Sequence, residues 1–153
     1  MQARIEGFVV DHFYGGAVLK DVIKSCVASD TLSALREFMQ ARAPEFEAGS
    51  TEHKLEYTKI HQEYCALVES RLEAPLKKHG KTVEDFMGIC KKLKEASARD
   101  FEEQLMPFID VLLAATDYMM FAEIMLGTQE KRDYFFHILK GLQADLKRSL
   151  GTS

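Results

Sequence analysis

A chain of 153 residues with 46% hydrophobic and 29% charged side chains has the composition of one folded globular domain rather than of a disordered segment. Its formal net charge of -4 disfavours nucleic acid as a partner, because proteins that bind the phosphate backbone usually carry a basic surface.

The three cysteines, Cys26, Cys65 and Cys90, lie far apart and form no C-x-x-C pair. An odd number of isolated cysteines favours neither a disulfide framework nor a zinc knuckle, so we expect reduced thiols in a cytoplasmic protein. The opening residues MQARIEG lack the pattern of a secretory signal, and Gln2 stands where N-myristoylation requires glycine. Neither secretion nor lipid anchoring is predicted.

Nearly every segment repeats its apolar residues at the helical period of three and four, which predicts an all-α bundle of about six to seven helices. A short helix is expected from about Gln2 to His12, within an N-terminal extension over residues 1–16 that ends at Gly15-Gly16. The most apolar segment, Val111 to Leu126, is too short to span a bilayer with confidence and is interrupted by two acids. We interpret it as an interior helix and expect no membrane insertion.

The next segments, AVLKDVIKSCV and TLSALREFMQARA, are predicted to form two helices, with Asp30 capping the second and Pro44 helping to end it. The stretch PEFEAGSTEH is a predicted loop. The longest helix is expected from about Glu52 to His79, with Pro75 bending its last turn.

Thr82 and Asp85 resemble a capping arrangement at the start of the following helix. Pro107 either begins a helix or kinks one already running, and the sequence leaves both possibilities open. A helix that is apolar nearly all round follows over Tyr118 to Leu126. The last helix is expected over about Gln129 to Leu150.

A search for catalytic motifs gives no positive result. No histidine follows a carboxylate by three residues, and neither H-E-x-x-H, a phosphate-binding glycine loop nor G-x-S-x-G is present. A Cys-His nucleophilic pair remains open, although Cys65 and Cys90 fall on or beside apolar stripes where a buried thiol is more common. We expect no metal, no cofactor and no enzymatic activity.

Methionines crowd into one region with several aromatic residues. Such flexible, polarizable side chains suit a surface that accepts another helix, but filling gaps in a core is their more frequent use. Both interpretations stay open, with core filling favoured for the four methionines Met106, Met119, Met120 and Met125.

The segment KLEYTKIHQEYCALVESRLEAPLKKHG, Lys54 to Gly80, resembles the most recognisable stretch of BART-like domains, the binders of Arf-like GTPases. Their pattern K-L-x-Y-T-x-I-x-x-E-Y-x-x-L-V-E is matched at both polar and apolar positions. Three further pieces stand in the family's order: REFMQARAPEFEA before this pattern, and EDF and FIDVLLAATDYMMFAEIML after it. The resemblance implies a BART-like domain over residues 17–127, with a C-terminal helix over 128–153 packed on it or extending from it.

The chain departs from the family pattern in two respects. The stretch between Phe86 and Phe108 is longer, and the first fourteen or so residues and the helix after Thr128 lie outside the shared region. The shape of the binding groove is expected to be affected there.

The resemblance implies a non-catalytic effector or adaptor, monomeric and cytoplasmic, with a ciliary or flagellar context. It would bind the GTP-bound form of an Arf-like small GTPase through a hydrophobic groove that accepts the GTPase's amphipathic N-terminal helix. The alternative is a structural helical protein that acts by self-association or as a scaffold.

The residues expected to contact the partner divide into an apolar trough and a charged rim, and for each one a purely structural role is the competing interpretation. The rim candidates are Glu56, Glu63 and Asp117. The trough candidates are Ile60, Tyr64, Phe86, Met87, Cys90, Leu93, Phe108, Leu112 and Met119.

Overall fold

The computed structural model describes residues 4–5, 8–9, 16–96 and 100–149, and in this part of the chain seven helices account for most residues. The all-α class expected from the apolar period is therefore confirmed. The helices are α1 (Gly16–Ala28), α2 (Thr31–Arg42), α3 (Leu55–Lys77), α4 (Val83–Ala96), α5 (Asp100–Leu113), α6 (Tyr118–Leu126) and α7 (Gln129–Ser149).

The N-terminal helix expected over Gln2 to His12 is wrong at the residues that the structure describes. Arg4–Ile5 (β1) and Phe8–Val9 (β2) form a short antiparallel pair, with Arg4 opposite Val9 and Ile5 opposite Phe8. The dipeptide Glu-Gly between Ile5 and Phe8 suits a tight hairpin at least as well as a helical turn, and so short a segment does not distinguish a strand period from a helical one. The rest of the predicted helix lies outside the described residues.

The turn between α1 and α2 differs from the sequence prediction. Asp30 precedes α2, but its backbone is left-handed with φ of 52°, and its side chain makes no capping hydrogen bond to the helix. Its carboxylate instead accepts a hydrogen bond from Gln143 of α7 at 2.7 Å. A long-range partner has therefore replaced the local one, and the predicted cap is wrong.

The loop between α2 and α3 folds back over the bundle. It begins with one 3₁₀ turn, Ala43–Glu45, in which Pro44 occupies an early position. Phe46 then stacks on Tyr57 of α3, with ring centroids 4.2 Å apart, and Gly49 donates its N–H to the carbonyl of Leu126 at the end of α6. These contacts fix the loop onto α3 and α6.

The long helix α3 is central to the bundle and packs against α1, α2, α4 and α6. Its buried side chains follow steps of three and four, as the sequence predicted, and Pro75 lies inside its last turn. Gly80 ends the helix with φ of 63°, which lets the N–H of Lys81 reach the carbonyl of Leu76 at 3.1 Å.

The start of α4 is confirmed as a capping box. The N–H of Asp85 donates to Thr82 Oγ1, and the N–H of Thr82 donates to Asp85 Oδ2, both at 3.0 Å. In α5 the structure decides between the two alternatives for Pro107, because the helix is already running from Asp100 when it reaches the proline.

The C-terminal helix α7 packs on α2, α5 and α6. Thr128 Oγ1 accepts a hydrogen bond from the N–H of Lys131 at 3.2 Å and so caps the start of α7. Most of the apolar side chains of all seven helices contribute to one hydrophobic core. In the described part of the chain, none of the helices combines the length and apolar character needed to cross a bilayer.

Candidate functional site

Eight of the residues predicted to line the trough are buried in the core. Ile60 and Tyr64 lie on the inner face of α3, while the others come from α4 and α5. They pack against the protein's own side chains, and of the eight only Met87 also borders an open hollow, so the trough predicted from them is not an open surface in this structure. The eight are Ile60, Tyr64, Phe86, Met87, Cys90, Leu93, Phe108 and Leu112.

The other four predicted residues, Glu56, Glu63, Asp117 and Met119, are accessible. Glu63 forms an ion pair with Arg42 of α2. Asp117 is the N-cap of α6, since its Oδ1 accepts the N–H of Met120 at 3.1 Å. Met119 has 54% of its surface exposed and makes the largest apolar contribution of the four to the surface.

An apolar groove does exist beside the predicted trough, between α4 and the corner that joins α5 to α6. It consists of two adjoining hollows of about 640 and 400 Å³ that share Lys91, Leu113 and Thr116. We name it the α4–α6 groove. Its apolar lining is Val83, Met87, Leu113, Tyr118, Met119 and Met120.

The rim of the α4–α6 groove carries more acids than bases. Two lysines line it, and Nζ of one of them, Lys94, lies 2.6 Å from Asp110 Oδ1. Four carboxylates also line it, so the rim has a formal charge of -2 when Lys94 is counted and its partner Asp110 is left out of the sum. The charged residues of the rim are Lys91, Lys94, Glu69, Glu84, Glu95 and Asp117.

The far wall of the groove is held in place by three polar side chains of α3. His61 Nε2 contacts the carbonyl oxygen of Ala114 at 2.7 Å, the Tyr64 hydroxyl donates to the carbonyl of Val111, and the Cys65 thiol donates to that of Ala115. A carbonyl only accepts, so Nε2 of His61 carries the proton. These bonds satisfy backbone acceptors at the end of α5, where helical partners run out.

Tyr118 connects this wall to the loop before α3. Its hydroxyl lies 3.1 Å from His53 Nδ1, and its ring packs edge-on against both His53 and His61. Partial burial raises the pKa of the Tyr118 hydroxyl, which therefore stays protonated at neutral pH. The aromatic cluster gives the first turn of α6 a fixed position beside Met119 and Met120.

Comparison with known proteins identifies the family. The family model for the ARF-like 2 binding protein BART matches residues 17–134, well over half of the chain. The chain belongs to the BART family. A curated relative, the ADP-ribosylation factor-like protein 2-binding protein of Gallus gallus, is 31% identical over 117 residues, which cover 75% of this chain and 68% of the relative. No solved structure gives a significant match.

The family match confirms the resemblance seen in the α3 pattern. It begins one residue after the start of α1 and continues past Leu126 into the first turns of α7. The region shared with the BART family is therefore slightly longer at its C-terminal end than the sequence pattern alone indicated.

Sequence reasoning missed four of the six apolar residues that line the groove: Val83, Leu113, Tyr118 and Met120. The available signal was the crowding of methionines with aromatic residues in a nine-residue helix. The structure divides these methionines, because Met125 is buried while Met119 is exposed and Met120 is half-buried. Core filling and surface lining both occur, at neighbouring positions of α6.

The thiols of this BART-family protein are poor nucleophiles. Burial raises the pKa of Cys26 and of Cys90 to about 12, and it also raises the pKa of the partly buried Cys65. Among the described residues, no three of the His, Cys, Asp and Glu side chains come together in a way that could hold a metal ion.

Proposed function

We propose that this BART-family protein binds the GTP-bound form of an Arf-like small GTPase, and that the α4–α6 groove receives the amphipathic N-terminal helix of that GTPase. The observation that carries the proposal is an exposed apolar groove in a member of a family whose described partner is ARF-like 2. The Gallus gallus relative, which is named as a protein that binds ADP-ribosylation factor-like protein 2, supports the same class of partner.

The dimensions and chemistry of the groove suit one face of a helix. Two adjoining hollows can accept apolar side chains from successive turns, which is the usual way that a groove recognises an amphipathic helix. Methionines on its lining can adjust their rotamers to leucine-sized side chains. The acidic rim favours a partner helix with basic residues beside its apolar face and speeds their encounter.

Preference for the GTP-bound form would follow from the partner's own switch. A small GTPase orders its switch regions only when the γ-phosphate is bound, so an effector that contacts them gains binding energy in that state alone. Glu63 and the exposed Glu56 of α3 are the proposed contacts to these regions. We place this function in the cytoplasm, with a ciliary or flagellar context, and the chain as a monomer.

Met119→Asp is the direct test of the groove. Because Met119 is 54% exposed, the substitution should leave the fold intact while placing a charge among the apolar anchors. We expect the Kd for an Arf-like 2 GTPase loaded with a non-hydrolysable GTP analogue to rise by about tenfold or more. Isothermal titration calorimetry measures it, with the GDP-loaded GTPase binding more weakly to the unsubstituted protein.

Tyr134→Asp is the matched control, because Tyr134 is 69% exposed on α7 and does not line the groove. It should leave the Kd unchanged. Equal affinity for the GTP- and GDP-loaded forms would contradict nucleotide selectivity, and full affinity in Met119→Asp would contradict the groove. A dimer in sedimentation equilibrium that dissociates on Met119→Asp would favour self-association instead.

A further inference from the structure

A second concave site lies outside the α4–α6 groove. It is a cleft of about 540 Å³ bounded by the α1–α2 turn, α2, α3 and α7, and we name it the α2–α7 cleft. Its charged lining contains four bases and two acids, in a protein whose formal charge is -4 overall. These residues are Arg36, Arg71, Lys140, Lys147, Asp30 and Glu37.

Gln143 lines this cleft and carries an unsatisfied acceptor. The side chain is buried, and its Nε2 donates to Asp30 Oδ1 at 2.7 Å. That bond fixes the orientation of the amide, because a flipped amide would set Oε1 against the carboxylate. Gln143 Oε1 is left buried without a hydrogen-bond partner among the described residues. A buried acceptor of this kind is normally satisfied by protein, water or ligand.

The bases of the cleft are not all used by the protein itself. Arg71 Nη1 donates to the carbonyl of Ser29 at 3.1 Å, and Lys147 Nζ lies 3.2 Å from Asp30 Oδ1. Arg36 and Lys140 make no ion pair or side-chain hydrogen bond to another residue in the described part of the chain. As far as the described residues go, Arg36 and Lys140 are therefore available to bind an anionic group.

The cleft and the groove are separate sites. Glu69 lines the groove and Arg71 lines the cleft, and residues two apart on a helix point to nearly opposite sides. None of the residues that the structure describes lines both sites. A ligand in the cleft would therefore leave the groove accessible.

We propose that the α2–α7 cleft binds an acidic peptide segment of a second protein. Its side-chain carboxylates pair with Arg36 and Lys140, and a backbone N–H of the peptide donates to Gln143 Oε1. A phosphomonoester dianion meets only half of this requirement, because it offers acceptors and no donor. A volume of about 540 Å³ also lies within the range of sites that hold a multi-atom ligand rather than a single ion. The protein then binds two partners on two different faces, and binding of the peptide to the cleft does not require the GTPase.

The test uses a fluorescein-labelled ten-residue peptide of alternating Asp and Gly. Fluorescence anisotropy at low ionic strength measures the Kd of this peptide for the protein. The double variant Arg36→Ala/Lys140→Ala should raise its Kd by about tenfold, since two partly exposed ion pairs are lost. Lys24→Ala/Lys59→Ala removes two exposed bases that do not line the cleft and should leave the Kd unchanged. Thermal unfolding followed by circular dichroism checks that both double variants fold.

Two competition measurements decide the chemistry. A backbone N-methylated version of the peptide should bind more weakly, and phenyl phosphate at about pH 8, where it is a dianion without a donor, should fail to displace the unmethylated one. No binding, equal loss in both double variants, full affinity of the methylated peptide, or displacement by phenyl phosphate would each overturn the proposal. Met119→Asp should retain the peptide, and its loss there would place the peptide in the groove and also overturn the proposal.

Discussion

Tyr64 is a buried polar residue that helps to hold the wall of the α4–α6 groove in place without lining the groove itself. Its side chain is fully buried among apolar neighbours, with ring centroids 5.7 Å from Phe38 and 5.0 Å from Phe121. Its hydroxyl donates to the carbonyl of Val111, and burial holds the pKa of that hydroxyl well above its usual range. The neutral phenol is therefore a permanent donor to the end of α5, next to Leu113 of the groove.

Tyr64→Phe removes this donor and keeps the packing. We expect it to lower the free energy of unfolding by about 1–2 kcal/mol, because the Val111 carbonyl loses a buried partner. Urea denaturation measures the change. Tyr134→Phe is the control, since that ring is 69% exposed and its hydroxyl should be replaced by water with little change. Equal stability of Tyr64→Phe and the unsubstituted protein would contradict the role given to this hydrogen bond.

At the scale of a helix, α4 depends on its first turn, because α4 carries Val83 and Met87 of the groove. The N–H of Thr82 keeps Asp85 ionised by hydrogen bonding to its carboxylate, which lowers the pKa of Asp85. Because the pKa of Asp85 is lower in the folded protein than in the unfolded chain, its ionised carboxylate stabilises the fold at pH values above the unfolded pKa. That stability is lost as the pH falls through the folded pKa, so the capping box should weaken only in acid.

Thr82→Ala removes the hydroxyl that accepts the N–H of Asp85. We expect a loss of about 1 kcal/mol in the free energy of unfolding, the usual effect of deleting an N-cap. Thr51→Ala is the matched control, because Thr51 is an exposed threonine in the loop before α3. Thermal and urea unfolding compare the two variants, and equal effects would show that the capping box contributes nothing specific.

Over the whole molecule, α7 acts as an integral part of the core rather than as an appended helix. Four of its side chains, Phe136, Leu139, Leu142 and Leu146, are buried in the same cluster as those of α1 to α6. Gln143 connects it further to the α1–α2 turn through Asp30. The domain should therefore unfold with α7 in one cooperative transition.

Leu139→Ala tests this cooperativity. Leu139 is fully buried, so the substitution should cost about 2–5 kcal/mol and shift one single transition rather than create a second. Leu55→Ala, at a leucine that is 84% exposed, should change stability by less than about 0.5 kcal/mol. Urea titration followed by both circular dichroism and tyrosine fluorescence measures the shift. Two separate transitions would show that α7 folds independently of the rest.

The sequence by itself determined the helices from α1 to α7, the capping box at Thr82 and the family, because these depend on residues close together in the chain. It did not determine the role of Asp30, whose carboxylate accepts a hydrogen bond from Gln143, 113 positions away in the chain, instead of capping α2. Tertiary structure alone decided which apolar residues line a groove. Phe86 and Cys90 follow the same helical period as Met87, yet only Met87 borders the groove. Periodicity marks a face as apolar, and only the packing of neighbouring helices decides how much of that face remains uncovered.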